Sequence, residues 1–279
     1  AIIWNTGSGA VLHTLHHMGP VDCARVFPDG ERVVACSAGE ACVVWDADYG
    51  VARRRLGMST ARDVEVAPNG RRLVTLSIVL GASIWDPGAG ARVCDLGAQA
   101  SFILIARFFP DSSRLITGSK DNTAVIWDSS TCERLRVLRH RAWVTSVAVA
   151  ADSGQVATMN SHGMVGIWDA ASGVCMRLAP SKLFWRMDFN QVEFVRGERD
   201  QLLTLSGDGV QLWDTGSPTM PRPLGNTSDL IWALARSPGG DVVATLDGSR
   251  LVIWDVRSGA RLQSFEDTAS PFMHMAFGW

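Results

Sequence analysis

A tryptophan followed by an aspartate returns along this chain at a nearly fixed interval: Trp45/Asp46, Trp85/Asp86, Trp127/Asp128, Trp168/Asp169, Trp213/Asp214 and Trp254/Asp255, with Trp4/Asn5 as a seventh instance that lacks the acid. The spacings are 41, 40, 42, 41, 45 and 41 residues. A period of this length means that one supersecondary unit is repeated, because a unit of about 40 residues buries too little surface to stand alone and must stack on its neighbours. Each tryptophan ends a short apolar or β-branched run, such as Cys42 to Trp45, Thr123 to Trp127 or Leu251 to Trp254. Such runs predict strands.

Two turn signals keep phase with the tryptophan. Five residues after it stands a glycine in five of seven units (Gly9, Gly50, Gly90, Gly173, Gly259), with Cys132 and Pro218 as exceptions. About seventeen residues before it lies a second cluster, for example Pro28-Asp29-Gly30, Pro68-Asn69-Gly70 and Pro110-Asp111-Ser112. Glycine and Asx residues supply the positive φ that tight hairpins need. The two turns and their connections divide each period into four strands, which in the first complete unit fall at 21–27, 32–37, 42–46 and 51–56.

On these residues the chain resembles the Trp-Asp (WD) repeat family of β-propellers over essentially its whole length. The resemblance implies an all-β fold, a seven-bladed propeller of four-stranded antiparallel blades forming a single domain over residues 1–279, with the repeat residues above and Asp121 as structural positions. The family pattern joins the tryptophan to a Ser or Thr on the second strand, an Asp in the preceding turn and a His before the first strand. Here Asp121 stands six residues before Trp127, but the His position of that unit holds Gln99; His17 and His140 occupy it before Trp45 and Trp168, where the Asp positions hold Gly39 and His162. No unit carries the full set, so blade cohesion is expected to rest mainly on apolar packing, at about 25 cal/mol per Å² buried.

The chain opens on a third strand (Ala1 to Trp4) and a fourth (Ala10 to Leu15) and closes on a first (Phe272 to Phe277). The seventh blade is then shared between the two ends and lacks one strand, which reads as a fragment of a longer protein. In the fifth blade the extra residues fall in Ser181 to Asp200, and the outer strand is replaced by the proline-rich Ser217 to Pro223, expected at an edge or as a rim loop.

The charge balance, 26 basic against 28 acidic side chains, gives no global basic field and argues against nucleic acid as the partner. Apolar runs such as Ser101 to Phe109 are far shorter than the roughly 20 residues of a membrane-spanning helix. No signal peptide is legible at Ala1-Ile2-Ile3-Trp4. The six cysteines (Cys23, Cys36, Cys42, Cys94, Cys132, Cys175) form no CxxC pair and lie mostly in apolar runs, which reads as reduced thiols acting as small hydrophobes in an intracellular protein, cytoskeletal and ciliary settings included.

No catalytic constellation emerges. The histidines (His13, His16, His17, His140, His162, His274) have no Cys or carboxylate at metal-ligand spacing, and Thr6-Gly7-Ser8-Gly9 is a repeat turn rather than a phosphate cradle. The expectation is therefore no enzyme, no cofactor, no metal and no small-molecule substrate. Arg25, Glu65 and Arg107 alternate in sign at one position of three successive inner strands, which predicts ion pairs between blades. Arg53 to Arg55 and Arg134, Arg136, Arg139 and Arg141 make basic outer edges.

Off the repeat position, Trp143, Trp185 and Trp232, with Phe102, fall at or near the starts of inner strands, accompanied by Arg62, Arg141 and Arg186. Aromatic and arginine side chains on a rigid rim are the usual anchors of protein interfaces. These seven residues are the candidate partner-binding set. The expected function is a non-catalytic protein–protein interaction scaffold within a multiprotein assembly. The alternatives are a sensor or autoinhibitory module of a larger regulatory ATPase or kinase, and a phosphopeptide-binding adaptor.

Overall fold

A computed structural model describes the chain except at residues 6–7, 38–40, 58–60, 78, 80, 98, 100, 181–190, 196–200, 207–208, 216–221, 224–230, 232, 238–240, 248–249 and 267–279. Among the described residues all regular structure is antiparallel β-sheet: one sheet of two strands and six of four. The two-stranded sheet is β1 (Ile2–Trp4) and β2 (Val11–Thr14). The first four-stranded sheet is β3 (Val21–Val26), β4 (Arg32–Ser37), β5 (Cys42–Asp46) and β6 (Ala52–Leu56). The second is β7 (Ala61–Val66), β8 (Leu73–Ser77), β9 (Gly81–Asp86) and β10 (Ala91–Asp95). The third is β11 (Ile103–Phe108), β12 (Arg114–Ser119), β13 (Thr123–Asp128) and β14 (Arg134–Arg139). The fourth is β15 (Val144–Val149), β16 (Gln155–Asn160), β17 (Met164–Asp169) and β18 (Cys175–Pro180). The fifth is β19 (Gln191–Val195), β20 (Gln201–Ser206), β21 (Gly209–Asp214) and β22 (Arg222–Pro223). The sixth is β23 (Ala233–Arg236), β24 (Val242–Asp247), β25 (Arg250–Asp255) and β26 (Arg261–Glu266).

In every four-stranded sheet, strands pair in chain order. The expected strands of the first unit agree with β3 to β6 to within a residue. The sequence-expected first strand at Phe272 to Phe277 lies outside the described residues, as does most of the Ser217 to Pro223 segment. Of the latter, β22 pairs Arg222 with Leu212 and Pro223 with Gln211, a short edge consistent with a run interrupted by prolines, which lack amide donors. The turns carry positive φ where the sequence placed glycine (Gly9, Gly50, Gly90, Gly173, Gly259), and Cys132 adopts it too, at 63°.

Two compact units divide the chain, Ala1–Val137 and Leu138–Trp279. Within each, the core lies between successive sheets. Trp85 packs among Phe27, Val34 and Val44 of the first sheet, and Trp127 among Val74, Leu76 and Ile84 of the second. In the second unit, Trp213 packs against Met159 and Ile167, and Trp254 against Leu203 and Leu212. The six repeat tryptophans from Trp45 to Trp254 are at most 8% exposed, whereas Trp4 is 55% exposed.

Two expectations are corrected here. The cysteines are not all reduced: Cys36 is bonded to Cys42 and Cys94 to Cys132, leaving Cys23 and Cys175 as thiols. The partners were hidden because each lies on a neighbouring strand or sheet, not at a short motif spacing. The polar network between strands is also retained more fully than position matching indicated, as the next section shows.

Candidate functional site

The second and third strands of each sheet share one register. Val33, Leu73, Leu115, Val156, Leu202 and Val243 stand opposite the six tryptophans. Two residues further on, the side chain returns to the same face. Five sheets place a threonine there, and the indole Nε1 donates to it: Trp85 to Thr75 at 2.9 Å, and Trp127 to Thr117, Trp168 to Thr158, Trp213 to Thr204 and Trp254 to Thr245 at 2.8 Å. In the first sheet the position is Ala35, and the buried Trp45 Nε1 has no hydrogen-bond partner among the described residues.

In the fourth sheet the relay extends to His140. Its Nδ1 lies 3.1 Å from the Leu138 carbonyl and its Nε2 lies 2.8 Å from Thr158 Oγ1. A carbonyl only accepts, so Nδ1 carries the proton and Nε2 accepts from Thr158, whose oxygen accepts from Trp168. Burial pulls the imidazole down to about 4, opposed weakly by the Leu138 bond.

In the third sheet Gln99 performs the histidine's part. Thr117 Oγ1 donates to Gln99 Oε1 at 2.7 Å, and Gln99 Nε2 donates to Thr123 Oγ1 at 3.1 Å. Thr123 Oγ1 donates in turn to Asp121 Oδ1 at 2.6 Å. The third sheet thus holds a continuous relay from Trp127 to Asp121 although, as expected, it lacks the histidine of the full set. A primary amide offers both a donor and an acceptor, which is all the position requires. In the fourth sheet His162 occupies the Asp position and the relay ends at the Leu138 carbonyl, while Asn160 Oδ1 accepts from the His162 and Met164 amides of the turn, both at 3.0 Å.

The aspartate after five of the tryptophans, Asp46, Asp86, Asp128, Asp169 and Asp255, caps the following turn. Asp128 Oδ1 accepts from the Ser130 and Thr131 amides and the Ser130 hydroxyl, which together hold its carboxyl down to about 2. Asp46, Asp86, Asp169 and Asp255 are lowered by equivalent bonds, Asp46 chiefly by Arg53. These residues are occupied by structure. A binding surface has to come from elsewhere.

The inner-strand charges pair, with one change of partner. Arg107 meets Glu65 at 3.5 Å, as expected, but Arg25 meets Asp63 at 3.1 Å instead of Glu65. Asp63 lies two residues along β7 from Glu65, on the same strand face, and position matching alone did not separate them. Burial pushes the Glu65 carboxyl up, against the pull of Arg107 and Arg25. On the basic outer edges, Arg53 is paired with Asp46 and Arg54 donates to the Gly88 carbonyl of the next sheet at 3.1 Å.

Of the candidate partner-binding residues, Trp185, Arg186 and Trp232 lie outside the described residues. Arg62, on β7, is exposed, and its guanidinium donates to the Leu104 carbonyl on β11. Phe102 and Trp143 occupy the same repeat position, 25 residues before Trp127 and Trp168. Both are anchored alike: the Lys120 amide donates to the Phe102 carbonyl at 3.0 Å, and the Ser161 amide to the Trp143 carbonyl at 2.8 Å. Their rings nevertheless stay 49% and 39% exposed. The Lys120 ammonium stands 5.5 Å from the Phe102 ring centroid, and exposed Arg141 lies two residues before Trp143. Sequence reasoning missed Lys120, whose signal was its place in the turn that meets Phe102. Among the described residues no group of three or more His, Cys, Asp or Glu side chains is arranged to hold a metal ion. No helix among them is long and apolar enough to cross a membrane.

Comparison with known proteins points the same way as the sheets. The family model described as "WD domain, G-beta repeat" matches residues 9–46 and 93–128. The chain is 27% identical to cilia- and flagella-associated protein 52 of Chlamydomonas reinhardtii over 55% of its own length and 25% of that protein's. It is 27% identical to the COMPASS component SWD3 of Saccharomyces cerevisiae over 69% of its length and 64% of the relative's. With a guanine nucleotide-binding protein subunit beta of Arabidopsis thaliana it shares 26% identity over 71% of its length and 55% of that subunit's. The chain thus spans less than two thirds of each of these relatives. With the tryptophan register, the four-stranded units and these matches together, the chain is similar to the WD-repeat family of β-propellers.

Proposed function

We propose that this protein is a non-catalytic interaction scaffold that joins other proteins within a multiprotein assembly, and that Phe102 in the first compact unit and Trp143 in the second each mark a contact surface. The observation that carries this reading is the exposure of both aromatics at one repeat position, each in its own unit. Two bulky rings at one repeat position are left about half exposed while their backbones are fixed by the neighbouring turn. A rigid aromatic presented to water loses little conformational freedom when a partner covers it. Arg62, Lys120 and Arg141 add cationic side chains in the same repeat regions, and Trp185, Arg186 and Trp232 belong to the proposed set by sequence. Two of the relatives are by name parts of larger assemblies, a COMPASS component and a guanine nucleotide-binding protein subunit, which supports the assembly reading. The name of a third, a cilia- and flagella-associated protein, supports an intracellular setting.

The test is affinity capture from the source organism's lysate with wild type and with Phe102→Ala/Trp143→Ala, read by quantitative mass spectrometry beside a thermal melt. Loss of specific co-purifying proteins with an unchanged melting temperature supports the reading. An unchanged set of captured proteins overturns this surface.

A further inference from the structure

In three successive repeats the residue five places after the tryptophan faces the residue nine places after the preceding one. A Cβ at Gly50 would lie 2.8 Å from His13, and one at Gly90 would lie 3.4 Å from Arg54, each on the outer strand of the sheet before. Glycine at this position leaves room for a long side chain opposite. Between the second and third blades both members of the pair change at once: the glycine becomes Cys132 and the facing residue becomes Cys94. Cys132 holds the left-handed turn conformation at φ 63°, which a side chain disfavours and glycine does not. A strained residue type retained in a turn calls for a compensating interaction. Here it is the bond to Cys94, with the two Cα atoms 6.5 Å apart and a sequence separation of 38.

We propose that Cys94 and Cys132 are a reversible redox staple, open as two thiols in a reducing medium and closed by oxidation to lock the third blade onto the second. Closure removes two protons and two electrons from the thiols, and a low-molecular-weight disulfide accepts them, being cleaved to two thiols as the Sγ–Sγ bond forms. Both cysteines are half-buried at the outer strand and its facing turn, within reach of such a reagent. The other bonded pair, Cys36 and Cys42, is wholly buried between β4 and β5 and is shielded from exchange. Of the two remaining thiols, burial pushes the half-buried Cys23 up to about 12, and the exposed Cys175 is raised as well.

The experiment compares wild type, Cys132→Gly and Cys94→Ser in reduced and in oxidised glutathione, by non-reducing peptide mapping and by thermal melts. In oxidised glutathione the wild type should yield a peptide linked through Cys94 and Cys132 and melt roughly 5 °C or more above its reduced form. Either variant should lose most of that shift. Reduced Cys132→Gly should melt at or above reduced wild type, because glycine suits the turn. Because the Cys36–Cys42 pair is common to all three proteins, its contribution cancels in the comparison. The proposal is overturned if the linked peptide is absent from oxidised wild type, if the shift is absent or survives in either variant, or if reduced Cys132→Gly melts below reduced wild type.

Discussion

Gln99 Oε1 accepts a 2.7 Å hydrogen bond from Thr117 Oγ1, in the place where His140 Nε2 meets Thr158 one blade later. The two side chains do the same bonding work and differ in one respect, since only the imidazole titrates near neutrality. Burial holds the folded imidazole near 4, below its ordinary 6.5. The unfolded chain therefore binds a proton that the folded chain refuses. The stabilisation is fully present above about pH 6.5 and is lost as pH falls towards 4, at up to about 1.4 kcal/mol per pH unit. His140→Gln should keep the Thr158 bond and flatten that slope. Urea melts of both proteins at pH 7 and pH 5 check it, and equal losses in the two proteins count against the assignment.

Ala35 leaves the Trp45 indole N–H without the acceptor that threonine provides in five sister blades. Ala35→Thr should stabilise the protein by about 1 kcal/mol, the net worth of a buried hydrogen bond. Ala35→Val supplies the same shape without the hydroxyl. Denaturant melts of the two variants separate bond from bulk, and a valine variant as stable as the threonine one refutes the hydrogen-bond account.

Asp128 should reveal itself in acid. Its folded carboxyl lies near 2, so its contribution is complete above about pH 4 and disappears as pH falls towards 2. The group is largely in solvent, and the effect is correspondingly modest. Asp128→Ala should cost about 1 kcal/mol at neutral pH through the uncapped turn amides. At pH 2 the difference from wild type should shrink. A difference that is independent of pH would show that the charge of the carboxylate contributes little.

Gly50 combines a positive φ of 65° with a Cβ site 2.8 Å from the His13 ring, whose Nε2 lies 2.7 Å from the Asp48 carbonyl. Gly50→Ala should destabilise by about 1–2 kcal/mol. Adding His13→Ala should recover the part due to the clash and leave the part due to the backbone. A double-mutant cycle on thermal melts measures that division, and strict additivity would mean that His13 yields freely.

Strand positions were legible because period-two apolar runs and phased turns are local signals, as the agreement of β3 to β6 with the expected segments illustrates. The polar relay was less legible, because matching by residue type passes over substitutes of equal hydrogen-bonding capacity. Gln99 serves for histidine in the third sheet. Arg25 chose Asp63 over Glu65, a choice between two acids on one face of one strand that depends on side-chain reach. The Cys94–Cys132 pair was hidden at 38 residues' separation and becomes visible only once facing positions of successive units are compared. Of the surface set, Phe102 and Trp143 were found from their position before an inner strand. Lys120 was not, because its neighbour in space comes from the other side of a hairpin.

The tryptophans' one-sided packing gives the array a direction. Trp45 rests beside Ala1, Ile3 and Leu15, Trp85 on the first four-stranded sheet and Trp127 on the second, and the later unit repeats the habit with Trp213 and Trp254. In each of these cases the indole is buried against residues that precede it in the chain. A ribosome releases those residues first. Each newly made blade can therefore find its largest apolar side chain a finished surface to land on, so that synthesis from the N-terminus lays down templates in the order in which they are needed.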